Sequence, residues 1–177
     1  YEFSYRAEKA DHSEAVTFRV DVAVYPADES DCIPFDADAA EGKWDPRGCY
    51  ILAEDVTISD WLQIYMQEDF EGVFINPGGY TITIEGPFSL FGTNKGLLDG
   101  LKIRCRYAGA GQPYLFSEVS AFAARNEGVI VGCEADMELD LEWDGNIQPV
   151  ILGVAGERGW MLENTVRADI RSFNETV

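Results

Sequence analysis

Cys133-Glu134-Ala135-Asp136-Met137-Glu138-Leu139-Asp140-Leu141-Glu142-Trp143-Asp144 alternates without exception between an apolar or small side chain at odd positions and a carboxylate at even ones. Period two belongs to an extended strand, whose successive side chains point to opposite faces. Wound as a helix, the same six acids would scatter around the cylinder, so the pattern overrides the helix propensity of Glu, Met and Leu. Val129 and Val131 extend the apolar parity upstream, and Gly132 reads as a bulge or bend.

On such a strand Glu134, Asp136, Glu138, Asp140, Glu142 and Asp144 form one acidic face. Same-face neighbours stand about 6.6–7 Å apart, and each like-charged pair costs about 0.6 kcal/mol in water, rising to about 2 kcal/mol at an effective dielectric near 20. The ladder therefore calls for counter-charge. Residues 101–107 supply it, because Lys102, Arg104 and Arg106 alternate with Leu101, Ile103, Cys105 and Tyr107. If the two strands are neighbours, bases oppose acids on the outer surface while Cys105 and Cys133 share the inner one. Arg167, Asp169 and Arg171 add a second set of charges on the last strand-like stretch. Since these bases are fewer than the acids around them, a residual negative stripe is expected.

Outward from this pair the period-two pattern recurs. It marks strands at residues 17–24, 50–66, 80–85, 114–123, 150–154 and 162–173, while the Gly-rich 88–100 stretch reads as a loop or an irregular turn of helix. Residues 28–49 read as a long loop of Asp, Ala, Gly and Pro. No internal repeat or linker stands out. Taken as hairpin-connected strands separated by Gly, Pro and Asn turns, this predicts an all-β chain in one domain over 1–177. The expected architecture is an antiparallel β-sandwich or jelly roll of about eight strands with long loops.

Thirty-two acids against thirteen bases give a net charge of −19, while an apolar share of 46% is that of a packed protein. Such a charge repels phosphate backbones and anionic headgroups, which argues against a nucleic-acid partner. No apolar run approaches the length of a membrane-spanning helix. The chain opens on Tyr1, which reads as a processed or trimmed start. The cysteines fit no zinc spacing, and His12 is the only histidine. They are read instead as two disulfides, Cys32 with Cys49 and Cys105 with Cys133. These, and an Asn-x-Thr sequon at Asn174, lean toward an oxidising, extracellular compartment.

Motifs for chemistry are scarce. Neither Gly-x-Ser-x-Gly nor a phosphate-binding Gly loop occurs, and His12 lies in a polar stretch. No cofactor is expected. Calcium is the metal the carboxylates would suit, at Asp36, Asp38 and Glu41 with help from Asp31 or Asp45. The run from Asp140 imitates the start of an EF-hand, but Ile151 stands where a bidentate Glu is required. Trp44, Trp61, Tyr65 and Tyr114 are candidate rings for a carbohydrate partner.

The function these residues point to is a non-enzymatic structural or interaction subunit of an extracellular or particle-surface assembly. It would associate through its charge-patterned strands with copies of itself or with other protein subunits. A calcium-assisted carbohydrate-binding module is the alternative, and a carboxylate-dependent glycoside hydrolase or lyase the second alternative.

Overall fold

The structure is a computed structural model. It describes residues 2–9, 12–19, 29–41, 45–59, 69–86, 89–109, 118–142, 148–149, 154–155 and 159–173. The chain opens with β1 (Glu2–Lys9) and β2 (His12–Arg19), an antiparallel hairpin in which Glu2 stands opposite Arg19. A 3-10 turn at Glu29–Asp31, β3 (Ile33–Phe35) and the five-residue helix α1 (Ala37–Glu41) follow. Next come β4 (Cys49–Leu52), β5 (Val56–Ile58), β6 (Val73–Ile75), β7 (Thr81–Glu85), β8 (Phe91–Asn94) and β9 (Leu97–Asp99). The middle of the chain gives β10 (Lys102–Gly109), β11 (Glu118–Val119), β12 (Ala123–Asn126), β13 (Val129–Val131) and β14 (Glu134–Glu142). The last strands are β15 (Gln148–Pro149), β16 (Val154–Ala155), β17 (Trp160–Leu162) and β18 (Thr165–Phe173).

Beyond the hairpin, every pairing of named strands is parallel. Three sheets share the work: a first in the order β17-β13-β9-β6-β4-β3, a second in the order β18-β14-β10-β7-β5 and a third in the order β16-β12-β8, with β11-β15 as a small accessory pair. From β6 onward the described strands visit the first, second and third sheets in turn and then return one rung further along. Cys49 pairs with Val73, Val73 with Leu97, Leu97 with Val129 and Val129 with Trp160, steps of 24, 24, 32 and 31 residues. This is a β-solenoid, a coil of strands rising by one strand spacing, about 4.8 Å, per turn.

Stacking in register places equivalent side chains on top of one another. Inside the second sheet Val56, Ile82, Ile103, Ala135 and Val166 form one column, and Ile58, Ile84, Cys105, Met137 and Ala168 the next. Inside the first sheet Tyr50, Phe74, Leu98, Ile130 and Met161 are aligned. Phe35 packs edge-on against Phe74 with ring centroids 5.1 Å apart. Between the columns the polar interior is spent on corners. Asn94 donates to Asn126 Oδ1 at 2.8 Å, and Asn126 donates onward to the Trp160 carbonyl at 3.1 Å, so buried amides climb the stack as a ladder.

A column of glycines sets how closely the coils approach. A Cβ on Gly72 would stand 2.1 Å from the Gly48 carbonyl oxygen, one on Gly96 2.0 Å from that of Gly72, and one on Gly128 2.1 Å from that of Gly96. The same positions open the strands of the first sheet, so the spacing of Gly48, Gly72, Gly96, Gly128 and Gly159 is the repeat that the sequence reading missed.

The expected antiparallel sandwich or jelly roll is thus overturned by a parallel coil. The reason lies at the corner between the first and second sheets, where only two residues separate β9 from β10, and β13 from β14. A short Gly-containing link between alternating segments is also the signature of a hairpin. Gly100 and Gly132, the first linking residues, have φ 66° and 61°, as the first residue of a type II′ hairpin also would, yet β9 pairs in parallel with β6 and β13, and β10 in parallel with β7 and β14, so neither strand pairs with the one it follows. The chain turns a corner without reversing. Of the two readings of Gly132, the bend is the one the structure shows: it lies at the corner between β13 and β14. The stretch 88–100, expected to be irregular, contains β8 and β9, and the expected loop at 28–49 contains β3 and α1.

Cys32 and Cys49 form a disulfide with Cα atoms 4.6 Å apart, joining β3 to β4 across one strand spacing. The second expected disulfide does not form: Cys105 and Cys133 are free and buried. Their parity is shared, but Cys105 lies opposite Met137, and Cys133 precedes Glu134, the partner of Lys102. A four-residue offset along a strand, about 13 Å, puts the sulfurs out of reach.

The glycine column and the corners generate a prediction. Gly96→Ala, whose methyl would press on backbone, is expected to lower unfolding free energy by about 3 kcal/mol or more. Glu163 holds the same corner conformation as Gly132, with φ 56°, so Glu163→Gly should raise stability by about 0.5–1 kcal/mol. Urea titrations of the two variants check both signs.

Candidate functional site

The outer face of the second sheet carries the densest pattern of charge on the described surface. Because the strands are parallel and in register, the outward residues form rows across them. Thr81, Lys102, Glu134 and Thr165 make one row; Thr83, Arg104, Asp136 and Arg167 the next; Glu85, Arg106, Glu138 and Asp169 the third; Asp140 and Arg171 continue into a fourth. The acidic ladder of β14 lies between the basic ladder of β10 and the mixed row of β18. Glu142 ends β14 with its side chain outside the described residues, and Asp144 and Trp143 lie outside them altogether.

Distance decides the electrostatics. Unlike charges on neighbouring strands are about 4.8 Å apart at the backbone, whereas like charges along one strand are about 6.7 Å apart. In water the attraction across strands is then about 0.9 kcal/mol per pair against about 0.6 kcal/mol of repulsion along them. The side chains use that difference. Arg106 donates to Asp136 Oδ2 at 3.2 Å and also to Glu138 Oε2, bridging two rungs of the acidic ladder, and Lys102 lies 4.0 Å from Glu134. Arg171 donates to Asp169 Oδ2 at 3.0 Å. That hydrogen bond, with the charges of Asp169, Asp140 and Glu138, holds the guanidinium pKa above its ordinary value.

On this face Lys102, Arg104, Arg106, Arg167 and Arg171 stand among Glu85, Glu134, Asp136, Glu138, Asp140 and Asp169. Among the described residues of this face five cations meet six anions in a lattice of both signs, and the rest of the expected acidic stripe, at Glu142 and Asp144, lies outside the described side chains. Arg104 and Arg167, on either side of Asp136, make no ion pair among the described residues. They border a shallow depression of about 300 Å³ with Thr81, Lys102, Glu134 and Thr165. A second, of about 440 Å³, lies by Glu85, Arg106, Tyr107, Glu138 and Asp140.

The residues considered for calcium have other employment. Asp36 Oδ1 accepts from the Ala39 amide at 2.9 Å, which is the N-cap of α1, and Asp38 is exposed on the helix. Glu41 closes α1 with its side chain outside the described residues. Asp45 Oδ1 accepts from the Arg47 amide, while its backbone exchanges hydrogen bonds with the Tyr50 hydroxyl. Among the described residues no group of three or more His, Cys, Asp or Glu is placed to hold a metal. Trp44, Trp61, Tyr65 and Tyr114 lie outside the described residues, as does the side chain of His12 in β2.

Sequence reasoning missed the interior Asn94 and Asn126. Their signal is the pair Asn94-Lys95-Gly96 and Asn126-Glu127-Gly128, spaced by the same 32 residues as Leu97 and Val129. In each, the asparagine Oδ1 accepts from the amide of the glycine two residues on. Burial pushes the thiols of Cys105 and Cys133 up to about 12. For Cys133, backbone hydrogen bonds partly oppose that shift.

Two outcomes follow. Arg106→Met and Glu138→Gln, combined in a double-mutant cycle, should show a coupling of about 0.5–1 kcal/mol at low salt that shrinks toward zero at about 1 M NaCl, as expected for side chains this exposed. The thiols should resist alkylation at neutral pH until the chain unfolds. Because their folded pKa exceeds the unfolded value near 9, stability is full below pH 9 and falls as pH rises from there toward 12. Thiol titration and melting temperature across that window check it.

Set against protein-family models, curated proteins and solved structures, the chain matches none of them.

Proposed function

We propose that this chain is a non-enzymatic structural and interaction module of an extracellular or particle-surface assembly, joined to its neighbours through charge-patterned strands. The observation that carries the reading is the charge lattice of the second sheet, which runs without a break to β18, a strand with an unpaired edge among the described residues. A patterned lattice of both signs supplies register to whatever strand or surface meets it and penalises a slipped arrangement. The Cys32–Cys49 disulfide supports an oxidising compartment. The net charge of −19 disfavours indiscriminate contact with nucleic acid or anionic membrane, leaving patterned contact as the specific one.

The reading predicts salt-sensitive association. In sedimentation equilibrium at about 0.1 M salt the mass should exceed the 19.7 kDa of one chain, and it should fall back toward that value at about 1 M. A fixed 19.7 kDa at every concentration and salt would remove self-association from the reading.

A further inference from the structure

The two ends of the coil are finished differently. At one end β3 is the edge of the first sheet and carries Pro34, which has no N–H to offer. Helix α1 packs on β3 and β5, and the disulfide ties β3 down. At the other end β17 and β18 are edge strands, and no described strand pairs with their outer sides. Trp160 and Leu162 on β17 are 57% and 47% exposed, and β18 presents nine residues with no proline.

The hydrogen bonding of that edge is set. The Thr165 amide donates to the Cys133 carbonyl, so in the parallel ladder the odd residues of β18 bond to β14. The even residues Val166, Ala168, Ile170 and Ser172 turn their N–H and C=O groups to the open side. Resting on the reading of an associating module, we infer that this edge docks a second copy of the chain: two β18 strands pair antiparallel about Ala168, with Arg167 of each facing Asp169 of the other.

Charge selects both the partner and the register. Full overlap of two antiparallel β18 strands would oppose Arg167 to Arg171 and Asp169 to itself, which like charges penalise. Sliding one step so that the axis passes through Ala168 creates two Arg167–Asp169 pairs. It also makes Ala168 with Ala168, and Val166 with Ile170, the hydrogen-bonded pairs that the open groups require. The opposite slide would pair Asp169 with Arg171, but Arg171 already bonds its own Asp169, whereas Arg167 has no ion pair among the described residues. An Arg-x-Asp motif is complementary to itself when reversed, as a two-fold contact demands, and the closed far end stops growth at two.

The test uses the full chain. Light scattering is expected to find a species of twice 19.7 kDa. Arg167→Glu and Asp169→Arg should each weaken it at least about tenfold. Mixing the two variants should restore it as a heterodimer, because the acid introduced in one chain then faces the base introduced in the other, and the unaltered Asp169 of the first faces the unaltered Arg167 of the second. Ala168→Pro, which deletes one outward N–H, should also abolish it. Salt-sensitive association that ignores Arg167→Glu and Ala168→Pro, that is broken by Arg171→Glu instead, or that fails to recover on mixing overturns the β18 pairing while the broader reading stands. A species that keeps growing past two overturns it equally, and a chain of 19.7 kDa under all conditions overturns both.

Discussion

A chain that returns to the same place on every turn must place each residue about 4.8 Å from its counterpart one turn away. Every other feature of this structure answers to that spacing. Inside, it demands side chains that tolerate their own kind as neighbours, and the columns Val56-Ile82-Ile103-Ala135 and Tyr50-Phe74-Leu98-Ile130 comply. At one corner it demands that no side chain intrude at all, and Gly72, Gly96 and Gly128 comply. A buried amide meets the demand by bonding to the next amide, as Asn94 does to Asn126. On the outer face stacked like charges repel, and the rows Lys102-Glu134, Arg104-Asp136-Arg167 and Asp140-Arg171 alternate sign, with Glu138 beside Asp169 as the exception.

That requirement explains what could be read in advance and what could not. Alternation is local, so the β14 strand and its apolar parity were visible in residues 134–142 alone. The adjacency of the β10 and β14 ladders could also be argued, because unlike charges seek each other whichever way two strands run. Direction is where local pattern fails. Two residues with a leading glycine look alike whether the chain bends or reverses, and the difference lies in which strand the next one pairs with, several tens of residues away. Phase fails for a related reason. Cys105 and Cys133 have the parity for a bridge, but parity says nothing about how far one strand has slid along another. Cys32 and Cys49 were easier, because their separation of 17 residues spans one register step from β3 to β4.

The site shares this split. Lys102, Arg104, Arg106 and the acids of β14 were legible as facing sets, whereas the threonines of β7 and the mixed row of β18 gained meaning only as rows across parallel strands. The balance of charge on the described face depends on which strands lie side by side, which a count of bases against acids along the chain does not show. In the folded lattice, Arg106 serves two acids at once.

The Cys32–Cys49 bond has a consequence for how the molecule comes apart. In a stack where each coil touches only its neighbours, loosening begins at an end and moves inward, since an interior coil has a partner on both sides. A covalent tie between the first two rungs, backed by α1, closes one of the two places where that can start. Among the described coils thermal opening then has a direction: it enters at β17 and β18 and runs back toward β4, so the rung that gives way first is the one with no described partner on its outer side.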